Sequence, residues 1–187
     1  MDKTILILAI LVIPIMINAQ NLYPGLSTEI LVEGINPSSM ATDHHGRVWV
    51  AEKNGEVHII NRDGFIYQDP AISLEVDDFN ERGLLGIALH PELDNKPYIY
   101  LYYSVKNGSH NRLSRFQLNG DFVIPETEEV LMDFDQLSGG IHNGGGMVFD
   151  DKGCLYLGTG DGSQPANAQD LNSMLGKIIK IFLSIAG

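Results

Sequence analysis

The sequence is poor in cysteine and in basic residues. One cysteine among 187 residues excludes an intramolecular disulfide and any Cys-rich zinc site. Lysine and arginine number 12 against 24 acidic residues, which gives a formal net charge of −12. An acidic surface repels phosphate, so this balance argues against nucleic acid or an anionic membrane as the partner. Apolar residues make up 44% of the chain, which is enough for a globular core.

The longest apolar run stands at the amino terminus. Lys3 precedes an apolar stretch over 5–17, and the small residue Ala19 follows it. This order is typical of a secretory signal peptide, whereas a membrane anchor needs about 20 apolar residues and Pro14 interrupts this run. We therefore predict a signal peptide over 1–19, a mature chain over 20–187, and a secreted or periplasmic protein that has no membrane partner after cleavage.

The mature chain shows little helical periodicity and consists of short β-rich runs separated by turns. Asn54-Gly55 between two such runs predicts a hairpin, because both residues favour positive φ. One unit recurs: residues 40–50 parallel residues 147–157, each with an apolar strand, Asp-x-x-Gly and a second strand, and a looser copy covers 87–101. Recurrence of several strands at about 40–60 residues is typical of propeller blades. A β-sandwich with similar turns is the alternative.

Two glycine-rich segments contain polar residues of interest, and the first of these residues, His142, is a candidate for catalysis. Glycines precede and follow His142, and imidazole is the side chain best suited to proton abstraction near neutral pH. Asp161 lies between two glycines, after a predicted strand. A solvent-exposed loop histidine and a turn aspartate are the alternatives. His44-His45 lies in a turn of the repeat, but the sequence identifies no further residues that could complete a metal site with these histidines. We therefore predict no metal-binding residues.

Three segments follow one another in a particular order. The first, 81–91, contains Glu-Arg-Gly-Leu-Leu-Gly and His-Pro. The second, 142–162, begins with His-Asn-Gly-Gly-Gly and ends with Gly-Asp-Gly, and the third covers 167–178. In motifs, order and spacing, the chain from about residue 34 to residue 181 resembles the soluble quinoprotein glucose/sorbosone dehydrogenase family.

The resemblance implies an all-β fold, a six-bladed β-propeller of which this chain supplies about three blades. Catalytic members of the family bind pyrroloquinoline quinone (PQQ) with calcium and oxidise sugars at the anomeric carbon. By the same resemblance, His142 takes the proton from the sugar hydroxyl, Asp161 orients His142, and a small-molecule sugar is the partner. Glu81 and Arg82 fall where family members contact the quinone or the substrate, so they are predicted to bind the cofactor.

Two departures from the family pattern keep a second interpretation open. Sugar-oxidising members usually carry a glutamine or an uncharged residue where this sequence has Glu81-Arg82, and some carry an aspartate where it has Ile141. The Glu-Arg-Gly form is similar to the Hedgehog-interacting-protein-like branch. The alternative function is therefore a non-enzymatic secreted binding propeller that has a protein ligand.

The length is short for six blades. Without the predicted signal peptide 168 residues remain, about 28 for each of six blades, against the roughly 40 that four strands need. Family members carry a later His-Arg-Asn-Pro segment and distal basic residues for the quinone, which this sequence lacks. We therefore expect an N-terminal portion of about three blades that does not turn over sugar by itself.

Overall fold

The computed structural model describes residues 25–183, so the predicted signal peptide lies outside the described residues. Residues 31–183 belong to one compact unit, and every described strand lies in it. Within the described range, no helix has the length and apolar character needed to cross a membrane.

Residues 31–183 form three antiparallel sheets. The strands and one short 3-10 helix are β1 (Pro37–Thr42), β2 (Val48–Glu52), β3 (Glu56–Ile60), β4 (Ile72–Ser73), β5 (Leu84–Leu89), β6 (Tyr98–Ser104), β7 (His110–Asn119), β8 (Phe122–Gln136), β9 (Gly144–Phe149), β10 (Leu155–Thr159), the 3-10 helix (Pro165–Gln169) and β11 (Ile178–Ile181). Strands β1 to β4 form the first sheet, β5 to β8 the second and β9 to β11 the third, each in chain order. Such up-and-down sheets are the form of propeller blades.

The repeated sequence unit folds into the same hairpin twice. Strands β1 and β2 pair as β9 and β10 do, and an aspartate closes each connecting turn. Asp43 Oδ1 accepts the backbone N–H of Arg47 at 3.0 Å, and Asp150 Oδ1 accepts that of Cys154 at 2.8 Å. Because a short carboxylate can satisfy nearby turn N–H groups, Asp-x-x-Gly specifies this turn locally. The predicted hairpin at Asn54-Gly55 also forms, between β2 and β3.

Two hydrophobic clusters fill the spaces between the sheets. The cluster between the first and second sheets includes Trp49 and Leu101, and that between the second and third includes Tyr100 and Leu155. Strand β6 contributes to both clusters because alternate residues of a strand face opposite sides. The second sheet is therefore covered on both faces, and fully burying an aliphatic or aromatic side chain contributes about 1.5–3 kcal/mol. Cys154, the single cysteine of the sequence, is buried.

The innermost strands β1, β5 and β9 run in the same direction. The Ser38 hydroxyl donates to the Leu84 carbonyl at 2.5 Å, which sets the start of β1 beside the start of β5. Strands β5 and β9 approach so closely that a Cβ on Gly86 would lie 2.3 Å from the Gly145 carbonyl oxygen. Glycine is therefore required where these two strands meet, which explains glycine in both family motifs.

This common direction gives the sheets two distinct ends. Residues 77–83, 138–143 and 160–163 lie around the starts of the inner strands, and we call them the upper rim. Residues 43–47 and 90–97 follow the ends of β1 and β5, and we call them the lower rim.

Candidate active site

The upper rim brings the two predicted catalytic residues together. His142 lies two residues before β9, and Asp161 lies two residues after β10. Because β9 and β10 are antiparallel neighbours, the start of one strand meets the end of the other. His142 Nδ1 is 2.9 Å from Asp161 Oδ1, and the two side chains are 51% and 21% exposed. An imidazole oriented by a carboxylate therefore faces the solvent on this rim.

The contact determines which nitrogen of neutral His142 holds the proton. A carboxylate only accepts hydrogen bonds, so Nδ1 is the donor and Nε2 remains an acceptor. Asp161 is held in turn, because its Oδ1 also accepts the Ser163 backbone N–H at 3.1 Å, and its carbonyl accepts Asn167 Nδ2–H at 2.9 Å. Among the described residues Nε2 has no hydrogen-bond partner, so it is free to take a proton from a bound molecule.

The backbone of His142 adopts a costly conformation. Its φ is 60°, in the left-handed region. Within 25–183, the other non-glycine residues with positive φ are Asn80 and Ser163, and both also lie on the upper rim. Such conformations cost of order 1–3 kcal/mol each and concentrate at functional sites. The upper rim therefore has the backbone character of a functional site.

Glu81 and Arg82 hold the segment that carries His142. Glu81 Oε2 accepts the His142 backbone N–H at 2.6 Å, and the Glu81 N–H donates to the Gly140 carbonyl at 2.9 Å. Arg82 donates from Nη1 to Asp77 Oδ2 at 3.0 Å and from Nη2 to the Gly139 carbonyl at 3.0 Å. Both side chains are thus engaged with the protein itself. The prediction that they bind the cofactor remains a prediction.

Gly160 allows two backbone segments of the upper rim to touch. A Cβ on Gly160 would lie 1.7 Å from the His142 carbonyl oxygen. The same carbonyl accepts the Gly162 N–H at 3.0 Å. The Ser163 hydroxyl completes the contact, since it donates to the Ile141 carbonyl at 3.0 Å and accepts the Ile141 N–H at 3.2 Å. The position of His142 therefore depends on close packing between 141–142 and 160–163.

A buried polar network lies beneath His142, and the sequence did not predict it. The Tyr102 hydroxyl donates to the Asn143 carbonyl at 3.0 Å, and Asn111 Nδ2 contacts that hydroxyl at 3.0 Å and Asn143 Oδ1 at 3.3 Å. The Ser104 hydroxyl donates to Asn111 Oδ1 at 2.6 Å. Burial raises the pKa of the Tyr102 hydroxyl, which keeps it a neutral donor. The one feature of the sequence that could have indicated this network is Asn143, a polar residue directly after His142.

Known proteins are similar to this chain in sequence or in structure. The Glucose / Sorbosone dehydrogenase family profile matches residues 35–184. Aldose sugar dehydrogenase YliI of Escherichia coli is 33% identical over 105 residues, which cover 53% of this chain and 28% of that protein. Human Hedgehog-interacting protein is 28% identical over 137 residues, which cover 64% of this chain and 19% of that protein. The PQQ-bound aldose sugar dehydrogenase of Streptomyces coelicolor matches with a TM-score of 0.72 at 26% identity, over 81% of this chain and 46% of that one.

The profile match extends over most of the chain, so the chain belongs to the glucose/sorbosone dehydrogenase family. The resemblance predicted from three motifs is confirmed, and so is an all-β partial propeller of about three blades. The chain spans less than half the length of each of these relatives.

Proposed function

We propose that the upper rim is the base-bearing part of a PQQ-dependent sugar dehydrogenase, with His142 as general base. The observation that carries the proposal is the 2.9 Å contact between His142 and Asp161, which leaves Nε2 available on an exposed rim. Family membership and the PQQ-bound relative support it. The proposal includes export of the protein through the predicted signal peptide at 1–19.

The proposed reaction starts at the hydroxyl of the anomeric carbon of a sugar. His142 Nε2 takes the hydroxyl proton as the C–H bond of that carbon gives up its hydride. Asp161 stabilises the imidazolium that forms and keeps Nε2 aimed at the substrate. Glu81, through the His142 N–H, fixes the backbone that sets the ring direction. When bound, PQQ supplies the two-electron acceptor for the hydride.

The described rim fits the proton-transfer part of this reaction. An anionic quinone also needs donors or cations, and the Arg82 guanidinium is already shared between Asp77 and the Gly139 carbonyl. Glu81 adds a negative charge beside it. We therefore propose that further residues are needed to bind the quinone and its calcium, and we expect the 187-residue chain alone to show no dye-linked glucose oxidation with PQQ and calcium added.

The general-base role can be tested in a full-length parent protein that contains this chain. We expect His142→Ala to lower kcat by about 10²–10⁴-fold, the contribution typical of general acid–base catalysis. Asp161→Asn should lower kcat and alter its pH profile, because the imidazolium loses its charged partner. His110→Ala changes another histidine that contacts an aspartate, and it should leave kcat unchanged. Full activity of the His142→Ala protein would overturn the assignment.

A non-enzymatic binding propeller is the second candidate. The specific observation in its favour is that Glu81 and Arg82 are both occupied in holding residues 139–142, on a chain similar to Hedgehog-interacting protein. Under this proposal the upper rim contacts a protein ligand. Titration of the full-length parent with PQQ, followed by PQQ absorbance, separates the two: saturable binding supports the enzyme, and no binding supports the binding module.

A further inference from the structure

A second histidine–carboxylate cluster lies on the lower rim, at the opposite end of the inner strands from His142. We propose that His44, His45 and Asp94 bind a divalent transition metal ion, with zinc as the expected occupant. The two histidines come from the β1–β2 turn, and Asp94 comes from the β5–β6 connection. The site would therefore join the first sheet to the second.

The ligand atoms already converge. His44 Nε2 lies 2.9 Å from Asp94 Oδ2, and His45 Nε2 lies 3.3 Å from Asp94 Oδ1. The two imidazole rings are 4.0 Å apart between centroids, and one ligand atom from each residue lies within 4.8 Å of the others. Zinc binds histidine nitrogen and carboxylate oxygen at about 2.0–2.2 Å, so small side-chain rotations would close the three atoms around an ion.

The histidine pair stands on a rigid turn. Asp43 Oδ1 accepts the backbone N–H of His45 and of Arg47, both at 3.0 Å. Its other oxygen accepts Arg47 Nε–H at 2.7 Å and the Trp49 indole N–H at 3.0 Å, and the Asp43 side chain is fully buried. The turn is thus fixed to the core, and the two imidazoles are presented together before any ion arrives.

The carboxylate is anchored independently. Leu93, the neighbour of Asp94, is buried in the cluster between the first and second sheets. Lys96 and Glu92 close the same connection, through a backbone hydrogen bond at 2.8 Å and an ion pair at 2.9 Å. Both halves of the site are therefore held by their own sheets, which is the preorganisation that a metal site requires.

The chemistry of the ligands selects the ion. Two neutral imidazoles and one carboxylate suit zinc, cobalt, nickel or copper, whereas calcium and magnesium prefer oxygen ligands throughout. All three side chains are about half or more exposed, so an ion can enter from solvent, and a fourth position stays open for water. An open cavity of about 760 Å³ lies beside the cluster. Its charged lining residues are Arg47, Arg62, Asp63, Asp94 and Asp121.

Without an ion, the same three residues make a hydrogen-bonded contact between sheets, in which each Nε2–H donates to Asp94. The two states differ in chemistry that can be measured, because an ion requires both Nε2 atoms to be unprotonated. A metal titration therefore distinguishes a binding site from a structural contact.

The first experiment uses the full chain without a polyhistidine tag, stripped with EDTA and titrated with zinc by calorimetry and with cobalt by visible absorption. We expect one ion per chain and cobalt ligand-field bands of a site with nitrogen and oxygen ligands. Asp94→Asn and the double variant His44→Gln/His45→Gln should each weaken zinc binding at least about tenfold, since even changes beyond the direct ligands typically cost 10–100-fold. His110→Gln is the matched control, because His110 pairs with Asp133 without a second histidine, and it should bind zinc as the unaltered chain does.

A second measurement does not depend on the folding of any variant. In the histidine ring region of a ¹H–¹³C spectrum, substoichiometric zinc should shift the signals of His44 and His45 and leave the other four histidines in place. No zinc binding at millimolar concentration, unchanged affinity in folded Asp94→Asn, or a shift confined to other histidines would each overturn the proposal. Any of these outcomes assigns the cluster as a hydrogen-bonded contact only.

Discussion

The upper and lower rims of this partial propeller both place histidine against aspartate from a different segment, but they are built differently. On the upper rim His142 has a φ of 60° and rests on a buried polar network. On the lower rim His44 and His45 belong to a turn closed by one buried carboxylate, Asp43. The upper rim therefore maintains a strained backbone through many tertiary contacts, whereas the lower rim maintains a relaxed turn through one local residue.

The largest expected effect comes from breaking the close packing of the upper rim. Gly160→Ala would place a Cβ 1.7 Å from the His142 carbonyl oxygen, so we expect it to cost more than about 4 kcal/mol or to prevent folding. Urea unfolding of the full chain, followed by circular dichroism, measures the loss. Gly146→Ala is the control: no atom lies within 4 Å of its built Cβ, so it should change stability by less than about 0.5 kcal/mol. Equal losses in the two variants would show that the packing at His142 is not critical.

The next effect concerns the network that supports the upper rim. Asn111→Ala removes the partner of the Ser104 hydroxyl and of Asn143 Oδ1, and Asn111 is fully buried. Buried groups left without partners cost about 1–3 kcal/mol, so we expect a loss of about 2 kcal/mol by urea unfolding. Gln117→Ala alters an exposed side chain of the same strand and should have little effect. If Asn111→Ala is as mild, the network does not hold this rim.

The lower rim should respond to one local change, and in a pH-dependent way. Burial opposes ionisation of Asp43, but the hydrogen bonds from Trp49 and Arg47 outweigh it and lower the pKa of Asp43. A lowered folded-state pKa contributes stability above the unfolded value of 3.8, and this is lost as pH falls through the folded value. We expect Asp43→Asn to lower the free energy of unfolding by about 2 kcal/mol at pH 7. The gap, that is the difference in this free energy between the variant and the unaltered chain, should narrow below about pH 4.

Urea unfolding at several pH values between 7 and 3 measures this gap. Asp150→Asn is the matched control, because Asp150 closes the equivalent turn but is not fully buried. Its cost at pH 7 should be smaller than that of Asp43→Asn. A gap for Asp43→Asn that does not change with pH would show that the charge of Asp43 contributes nothing.

The smallest stability effect is expected at the proposed base itself. His142→Gly relieves the strain of positive φ but loses the hydrogen bond to Asp161, and these two changes oppose each other. We therefore expect a free energy of unfolding within about 1 kcal/mol of the unaltered chain. A loss well above that value would mean that His142 is primarily a structural residue.

Local motifs made much of this structure predictable. Asp-x-x-Gly in the two repeat units predicted turns that form with equivalent backbone hydrogen bonds at Asp43 and Asp150. The pairing of His142 with Asp161 followed from the family motifs, and the antiparallel β9–β10 pair brings the two residues together. Each of these features depends on residues close in sequence or on neighbouring strands.

Features that join distant segments were not predictable. Glu81 accepts the N–H of His142, which lies 61 residues later in the sequence, and Asp94 contacts His44 across a separation of 50 residues. The sequence alone identifies no third metal-binding residue to accompany His44-His45. Asp94, the third residue of the proposed site, lies in the β5–β6 connection of the neighbouring sheet, and only the packing of one sheet on the next brings it to the two histidines.

The sequence by itself determined the blade repeat and the turns, because these depend on local hydrogen bonds and on strand alternation. Its family motifs also identified His142 and Asp161 as site candidates. The tertiary structure alone decided which carboxylate each histidine meets across sheets and which glycines must remain glycine. The physical reason is that close packing and long-range hydrogen bonds arise only when the inner strands are set side by side, as at Gly86 and Gly160.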